Sequence, residues 1–284
     1  MLKKTEKEQL MSRGKVISFG EVLYDVFPDR RHLGGAPLNL AVHLFREGMD
    51  VLLVSAVGSD DYGREALDTI RETGLDVSGI SEVANPTGRV TISLDAAGVP
   101  EYLFDRDCAY DHITLPENFD CSADLLCFGT LAQRGIESRK TLQKLLKEFK
   151  GKVFCDVNLR QDFYSKEILE DSLNCADIVK INENELPVIA ELTGIGCTPQ
   201  ELAEKFDLEL VIYTLGPEGC VIYARGDEPF TMPAAPAEVV STVGAGDAFS
   251  GAFLASLLKN EDLITAAEKA SRNAAYVCTL EGAF

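Results

Sequence analysis

Ser241-Thr242-Val243-Gly244-Ala245-Gly246-Asp247 runs directly into Ala248-Phe249-Ser250-Gly251-Ala252-Phe253-Leu254-Ala255-Ser256-Leu257-Leu258. The apolar residues Phe249, Phe253, Leu254, Leu257 and Leu258 recur at helical spacing, and Glu238-Val239-Val240 before the glycines has an extended character. The stretch reads as strand, glycine turn, helix, with the turn at the helix N-terminus. Gly244, Ala245 and Gly246 leave backbone N–H groups bare of side chains, and the helix dipole favours negative charge there. Asp247 has two readings. An acid in the first helical turn complements the dipole. At an anion site it would instead repel a phosphate unless it had a task, and the task that fits is accepting a proton from a hydroxyl attacking that phosphate. On the residues alone both readings stay open. The stretch lacks the Gly-Lys-Ser/Thr ending of a Walker A loop, and its glycine spacing is not that of a dinucleotide fingerprint.

Outward from this point the bulk properties narrow the class. A chain of 284 residues can bury a full core as one large α/β domain or two small ones. Net charge −19 argues against nucleic acid as the main partner, since neutralising a polyanion needs a basic surface. Eight scattered cysteines without Cys-x-x-Cys spacing read as reduced core residues of a cytoplasmic protein. The three histidines form no metal-ligand pattern, and no run approaches transmembrane length. The charged first dozen residues, without an apolar segment, read as a frayed tail.

Gly34-Gly35-Ala36-Pro37-Leu38-Asn39 repeats the glycine-then-helix logic, with the helix starting near Pro37. Asn39 in its first turn and Asp25, on an alternating segment Val22-Tyr24-Val26, together offer the donors and acceptors a polyol needs. Singly, they read as a local cap and a solvated strand residue. Arg89 to Leu94 and Glu101 to Phe104 form a hairpin with a turn at Asp95 to Gly98. With the segment 21–35 it predicts a small β-sheet over one end of the main domain; the alternative is an edge of the main sheet. The rest alternates strand and helix, a doubly wound α/β pattern with a mostly parallel sheet. Ligands of such sheets bind beyond the strand C-termini, so Asn158 and Arg160, after Val153 to Val157, belong near the site. Arg160 suits a transferring phosphoryl group or a sugar oxygen, and equally a surface salt bridge. Ser138 is a candidate helix cap.

Thr242 to Phe249, with Gly34-Gly35-x-x-x-Asn39, resembles the ribokinase-like (PfkB) carbohydrate kinases, and the likeness covers Phe19 to Ala283. Asp156-x-Asn158-x-Arg160 resembles its fructokinase and 2-keto-3-deoxygluconate kinase branch, and Phe19 to Asp25 and His32 to Asn39 resemble fructokinases more than ribokinases. The resemblance implies one kinase domain over 1–284, with a β-lid from about 21–35 and 87–110. It implies a transfer of phosphate from ATP to a primary hydroxyl of a small sugar, fructose first. Kinases of 2-keto-3-deoxygluconate, ribose or a nucleoside, and a non-catalytic sugar- or nucleotide-binding regulator, are the alternatives. In this picture Asp247 is the base, Gly244, Ala245 and Gly246 cradle the phosphoryl group, and Arg160 assists. Asp25, Gly34, Gly35, Asn39, Phe104 and Asn158 hold the sugar. Asn182, Thr214, Gly216, Gly219 and Asn273 line the nucleotide, and Glu185 of the Asn182-x-x-Glu185 element manages Mg²⁺. A lid would keep water from ATP, and an exposed lid sheet could pair with a second copy as a homodimer. No nucleic acid or membrane partner is implied. Many relatives carry Asp where Ser241 stands, and that acid helps hold a monovalent cation in the ribokinase branch; serine implies weak dependence on potassium. A little more chain is expected beyond Phe284.

Overall fold

Strands buried on both faces of a parallel sheet have no polar side to show, and Val16-Ile17-Ser18-Phe19, Leu125 to Phe128 and Val153 to Cys155 are runs of this kind. The computed structural model describes residues 14–94, 100–117 and 119–284. Its strands begin with β1 (Lys15–Phe19), β2 (Leu23–Val26), β3 (Arg31–Gly34), β4 (Asp50–Gly58), β5 (Ile80–Val83), β6 (Gly88–Leu94) and β7 (Pro100–Phe104). They continue with β8 (Leu125–Gly129), β9 (Lys152–Asp156), β10 (Ile178–Asn182), β11 (Leu210–Thr214), β12 (Cys220–Ala224) and β13 (Phe230–Met232). One sheet of nine strands has the order β13-β12-β11-β10-β9-β8-β1-β4-β5. Pairings from β5 to β11 are parallel, and β12 and β13 are antiparallel additions at one edge. This is the ribokinase-like α/β architecture.

From β1 the chain builds outward to β4 and β5, then returns to lay β8 on the other side of β1. Connections diverge at this point, which opens a crevice beyond the strand C-termini. Ser18, Glu21, Gly129, Asp156 and Asn158 line it.

Two helical layers cover the sheet. The first holds α1 (Ala36–Arg46) and α2 (Asp61–Glu72), and the second α3 (Ile136–Glu148), α4 (Lys166–Cys175), α5 (Glu185–Thr193) and α6 (Pro199–Lys205). Completing the first layer are α7 (Ala245–Leu258) and α8 (Leu263–Val277). Leu38, Leu44, Ile70, Phe253 and Ala270 make one apolar core, and Leu142, Leu145, Leu169, Leu173 and Ile189 the other. Every residue of α7 from Asp247 to Ser256 is buried, because α1 and α8 flank it over the sheet.

A second sheet, β3-β2-β6-β7, stands apart from the first. Asp25 lies in register with His32 on β3 and Val90 on β6, and Val90 with Phe104 on β7, so these four share one face. The strands end at Phe104; Cys108, Ala109 and Tyr110 drop into the main core. The expected turn at Asp95 to Gly98 and the N-terminal tail lie outside the described residues.

Two local expectations are corrected. Glu238-Val239-Val240 is exposed irregular chain, not a strand: two prolines precede it, and the Val240 and Ser241 N–H groups donate to the Cys278 carbonyl rather than to a sheet. Ser138 is not the cap of α3, which begins after Gly135; its hydroxyl instead joins the Ile113 N–H and the Tyr110 carbonyl. Helix α2 starts at Asp61, because Asp60 accepts the Gly63 N–H as N-cap.

Candidate active site

Gly244 caps α7 in the left-handed region at φ 77°, and a Cβ there would fall 2.4 Å from the Ala283 Cβ. Conformation and space both demand glycine. The cap points the first-turn N–H groups of α7 outward, where they have no partner four residues back. Asp247 stands in that turn, 9% exposed, and its Oδ2 accepts from Asn39 Nδ2 at 2.7 Å. Burial raises the Asp247 carboxyl to about 6, and the charge of Asp156 adds to this; Lys180, the Asn39 hydrogen bond and Arg160 oppose it.

Gly35 caps α1 at φ 112°, with a virtual Cβ 2.3 Å from the Glu21 carbonyl. That approach brings Asn39 against α7, 5% exposed, with its Oδ1 buried and without a partner. A Cβ on Gly34 would lie 3.6 Å from Asp25 Oδ2 and 3.8 Å from Asn39 Oδ1. The missing side chain therefore keeps open a space between those two oxygens. Burial raises the Asp25 carboxyl, against the pull of Arg160 and His32.

Arg160 is exposed on the loop leaving β9, and its charge reaches Asp25, Asp247 and Glu21. Asn158 (φ 43°) and Gln161 (φ 46°) bend this loop through the left-handed region. Four contacts hold it there: the Leu159 N–H donates to Glu185 Oε1 at 2.9 Å, the Phe163 N–H to the Arg160 carbonyl, Gln161 to the Tyr102 carbonyl, and Phe163 meets Phe104 edge-on at 5.6 Å. Phe104 thus joins the second sheet to the loop that carries Arg160.

Asn182 and Glu185 bond reciprocally at the turn leading into α5: Asn182 Oδ1 accepts the Glu185 N–H at 3.1 Å, and Glu185 Oε2 accepts the Asn182 N–H at 2.9 Å. Thr214 ends β11 two strands from β9, and Gly216 and Gly219 bound the short turn into β12. Asn273 Nδ2 donates to the Ala248 carbonyl at 2.8 Å, tying α8 to α7.

Sequence reasoning passed over Glu21, Asp156 and Lys180 as site residues. Glu21 is 4% exposed, and burial raises its carboxyl to about 7. Lys180 and Asp156, each 8% exposed, form an ion pair of 2.5 Å on neighbouring strands. The available signal was a charge set inside apolar strands, Ile-Val-Lys-Ile and Val-Phe-Cys-Asp.

Among the described residues no three His, Cys, Asp or Glu side chains cluster as a metal cage. The donor set, one buried carboxylate at Glu185, fits an ion that keeps its waters and is carried mainly by substrate phosphates, as Mg²⁺ is.

The pfkB family carbohydrate kinase profile matches residues 12–284. A sugar kinase of Pyrococcus horikoshii is 32% identical over 273 residues, 88% of this chain and 84% of that one. Fructokinase-1 of Zea mays is 29% identical over 276 residues, 87% of this chain and 84% of its own. Among solved structures, the P. horikoshii sugar kinase in complex with ATP superposes with TM-score 0.83 at 30% identity, covering 94% of this chain and 93% of that one. Vibrio cholerae fructokinase, bound to fructose, ADP and calcium, gives TM-score 0.83 at 25% identity over 96% and 95%.

Proposed function

Since this chain belongs to the pfkB family of carbohydrate kinases, we propose that it transfers the terminal phosphoryl group of ATP to a primary hydroxyl of fructose. The observation that carries this reading is the Asn39–Asp247 contact, which sets a buried carboxylate beside both an anion cradle and a polyol-type donor set. Asp25 and Asn39 Oδ1 accept hydrogen bonds from sugar hydroxyls across the space at Gly34, and Gly35, Phe104 and Asn158 shape the surrounding wall. Asp247 takes the proton of the attacking alcohol as its oxygen bonds to phosphorus and the bond to the β-phosphate oxygen breaks, the electron pair leaving on ADP. The Gly244, Ala245 and Gly246 backbone and Arg160 hold the charge that builds on the transferring group. Asn182, Thr214, Gly216, Gly219 and Asn273 border the nucleotide. Glu185 would hold Mg²⁺ through its water shell, and the ion would supply positive charge to the ATP phosphates.

Fructokinase relatives on both the sequence and structure side support the choice of sugar. A coupled ADP-release assay over a sugar panel tests it. Activity on ribose or 2-keto-3-deoxygluconate without activity on fructose moves the substrate, and sugar binding with no ADP release converts the protein to a regulator. The core cysteines Cys127, Cys155 and Cys220 suit a cytoplasmic location, and among the described residues no helix is long and apolar enough to cross a membrane. The edge strand β7, with Tyr102 53% and Leu103 69% exposed, suits pairing with a second copy; sedimentation as a monomer at micromolar concentration removes that idea.

A further inference from the structure

An arginine in a turn ordinarily reaches for solvent, but Arg134, which closes the 3₁₀ turn Leu131–Arg134 after β8, keeps its side chain only 9% exposed. The turn itself belongs to the scaffold: Leu131 and Ala132 are buried, and Gln133 Nε2 donates to the Gly129 carbonyl and to Ser172 Oγ, each at 2.9 Å. A buried guanidinium needs a carboxylate. Asp111 supplies one in fork geometry, its Oδ1 accepting from Nε at 2.8 Å and its Oδ2 from Nη2 at 3.0 Å. Nη2 also donates to the Asp105 carbonyl at 2.6 Å and to Cys108 Sγ at 3.3 Å. Residues 105–111 are the chain leaving β7, so the head of Arg134 holds the root of the second sheet. A Cβ on Gly135 would fall 2.4 Å from the Asp111 carbonyl oxygen, so this segment rests directly on the start of α3.

The same guanidinium faces the loop that carries Arg160. Its central carbon lies 4.5 Å from the centre of the Phe163 ring and 4.7 Å from that of Tyr110, while Nη1 is buried and meets no hydrogen-bond acceptor among the described residues. Aromatic faces attract such a cation, more strongly away from water. Phe163 in turn closes a turn on Arg160, its N–H donating to the Arg160 carbonyl at 3.0 Å. Holding the Phe163 ring therefore fixes the turn from which the Arg160 side chain projects. We propose that Arg134 is a positioning residue for Arg160: fastened to the root of the second sheet through Asp111 and Asp105, it seats Phe163 and so sets where Arg160 stands at the site. Gln161 donates to the Tyr102 carbonyl and Phe104 meets Phe163 edge-on, so β7 and the loop 158–163 are bound to each other as well as to this post. The site then receives Arg160 and the second sheet as one unit. A misplacement on the order of 1 Å can cost about 10²-fold in rate. This inference rests on the proposed kinase reading for what Arg160 does, but not for where Arg160 stands.

Position and chemistry are tested separately. Arg134→Met alone would strand Asp111 as a buried carboxylate without its cation. The decisive protein is the double variant Arg134→Met/Asp111→Asn, with Asp111→Asn as the control that keeps the guanidinium; a cooperative thermal melt checks that each is folded. Should the double variant not fold, Phe163→Leu removes the ring that the cation holds and carries the same expectations. Hydrogen exchange followed by mass spectrometry on the full chain reads position. Exchange across 158–164 and 100–106 is expected to quicken about tenfold or more in the double variant, while β1, β8 and α3 stay as in the parent. Unchanged exchange at 158–164 overturns the proposal. So does quickening spread evenly over β1, β8 and α3, which makes the pair merely structural, and so does full loosening already in Asp111→Asn. Turnover on the sugar that the panel identifies reads the chemistry. The kcat of the double variant is expected to fall about tenfold or more, with ATP KM within about twofold of the parent. The same double change made on Arg160→Met is expected to cost less than about threefold, because the group it positions is gone. Where Arg160→Met itself lowers kcat or raises sugar KM, an equal cost in both backgrounds overturns the proposal, as does a double variant with kcat within about threefold of the parent. Should Arg160→Met match the parent, or the parent phosphorylate no sugar, the role of Arg160 or the sugar reading fails alone, and exchange still decides for or against Arg134.

Discussion

Asn39 Nδ2 donates to Asp247 Oδ2 at 2.7 Å, joining the first turn of α1 to the first turn of α7 across 208 positions of sequence. The bond occupies one carboxylate oxygen and fixes the plane of the other. It also turns Asn39 Oδ1 toward the gap at Gly34, where it is buried without a partner. A buried carbonyl oxygen left open is a standing demand for a donor, and a sugar hydroxyl meets it.

Removing the proton acceptor while keeping the shape isolates its chemistry. Asp247→Asn is expected to lower kcat by about 10²–10⁴-fold, with sugar affinity retained because the amide still meets Asn39. Calorimetric titration of sugar beside a turnover assay checks both halves. Turnover near that of the parent would take Asp247 out of the mechanism.

The acid limb of the pH profile should carry the signature of the same residue. Asp247 is raised to about 6, first by burial and then by Asp156. Only the ionised form accepts a proton, so kcat should rise with pH through about 6 and level off above it. A profile flat from pH 5 to 8 would mean that another group, or none, limits the step.

Gly34 makes room rather than contact. Gly34→Ala places a methyl 3.6 Å from Asp25 Oδ2 and 3.8 Å from Asn39 Oδ1, in the space assigned to the sugar. Sugar KM should rise about tenfold or more while ATP KM stays put. Equal effects on both substrates would point to distortion of α1 instead.

Glu21 links the site to stability. Its folded value of about 7 exceeds the ordinary 4.5, so the fold favours the protonated carboxyl. The stability this contributes is complete below the unfolded value and is lost as pH rises toward and through about 7. Glu21→Gln, which stays neutral, should therefore gain on the parent in unfolding free energy between pH 5 and pH 8, by on the order of 3 kcal/mol at most, read from denaturant melts at each pH. A difference that is constant with pH would mean that Glu21 does not titrate in this window.

Ser241 brings no charge to the approach to α7; its Oγ accepts the Val243 N–H at 3.2 Å. Titration with potassium chloride, at constant ionic strength, should leave turnover essentially unchanged. A strong potassium requirement would show that other oxygens make up the cation site.

The legible parts of this chain are those where neighbours in sequence are neighbours in space. Gly244 to Asp247 and Gly34 to Asn39 each fold into one helix start, and the apolar runs of β1, β8 and β9 declare their own burial. Glu238 to Val240 misled for the complementary reason: two valines suggest a strand, but the Val240 and Ser241 N–H groups find their acceptor at Cys278, just past the C-terminal end of α8. Glu21, Asp156 and Lys180 were hidden similarly. Each looks like a stray charge beside an apolar run, and its meaning depends on the order in which β1, β8, β9 and β10 lie down. The loop from Asn158 to Phe163 needs a contact with β7 before its shape makes sense.

The crossing of α1 over α7 acts as a calliper. Asn39 and His43 are one turn apart on α1, and Asp247 and Gly251 are one turn apart on α7. A Cβ on Gly251 would fall 2.5 Å from the His43 Cβ, so the helices touch there with nothing between their backbones. The jaw width at the reacting end is thus gauged from a spot that no ligand reaches. A single methyl at 251 would pry the jaws apart and loosen the grip on Asp247, so inactivating lesions in this protein need not border the cleft at all.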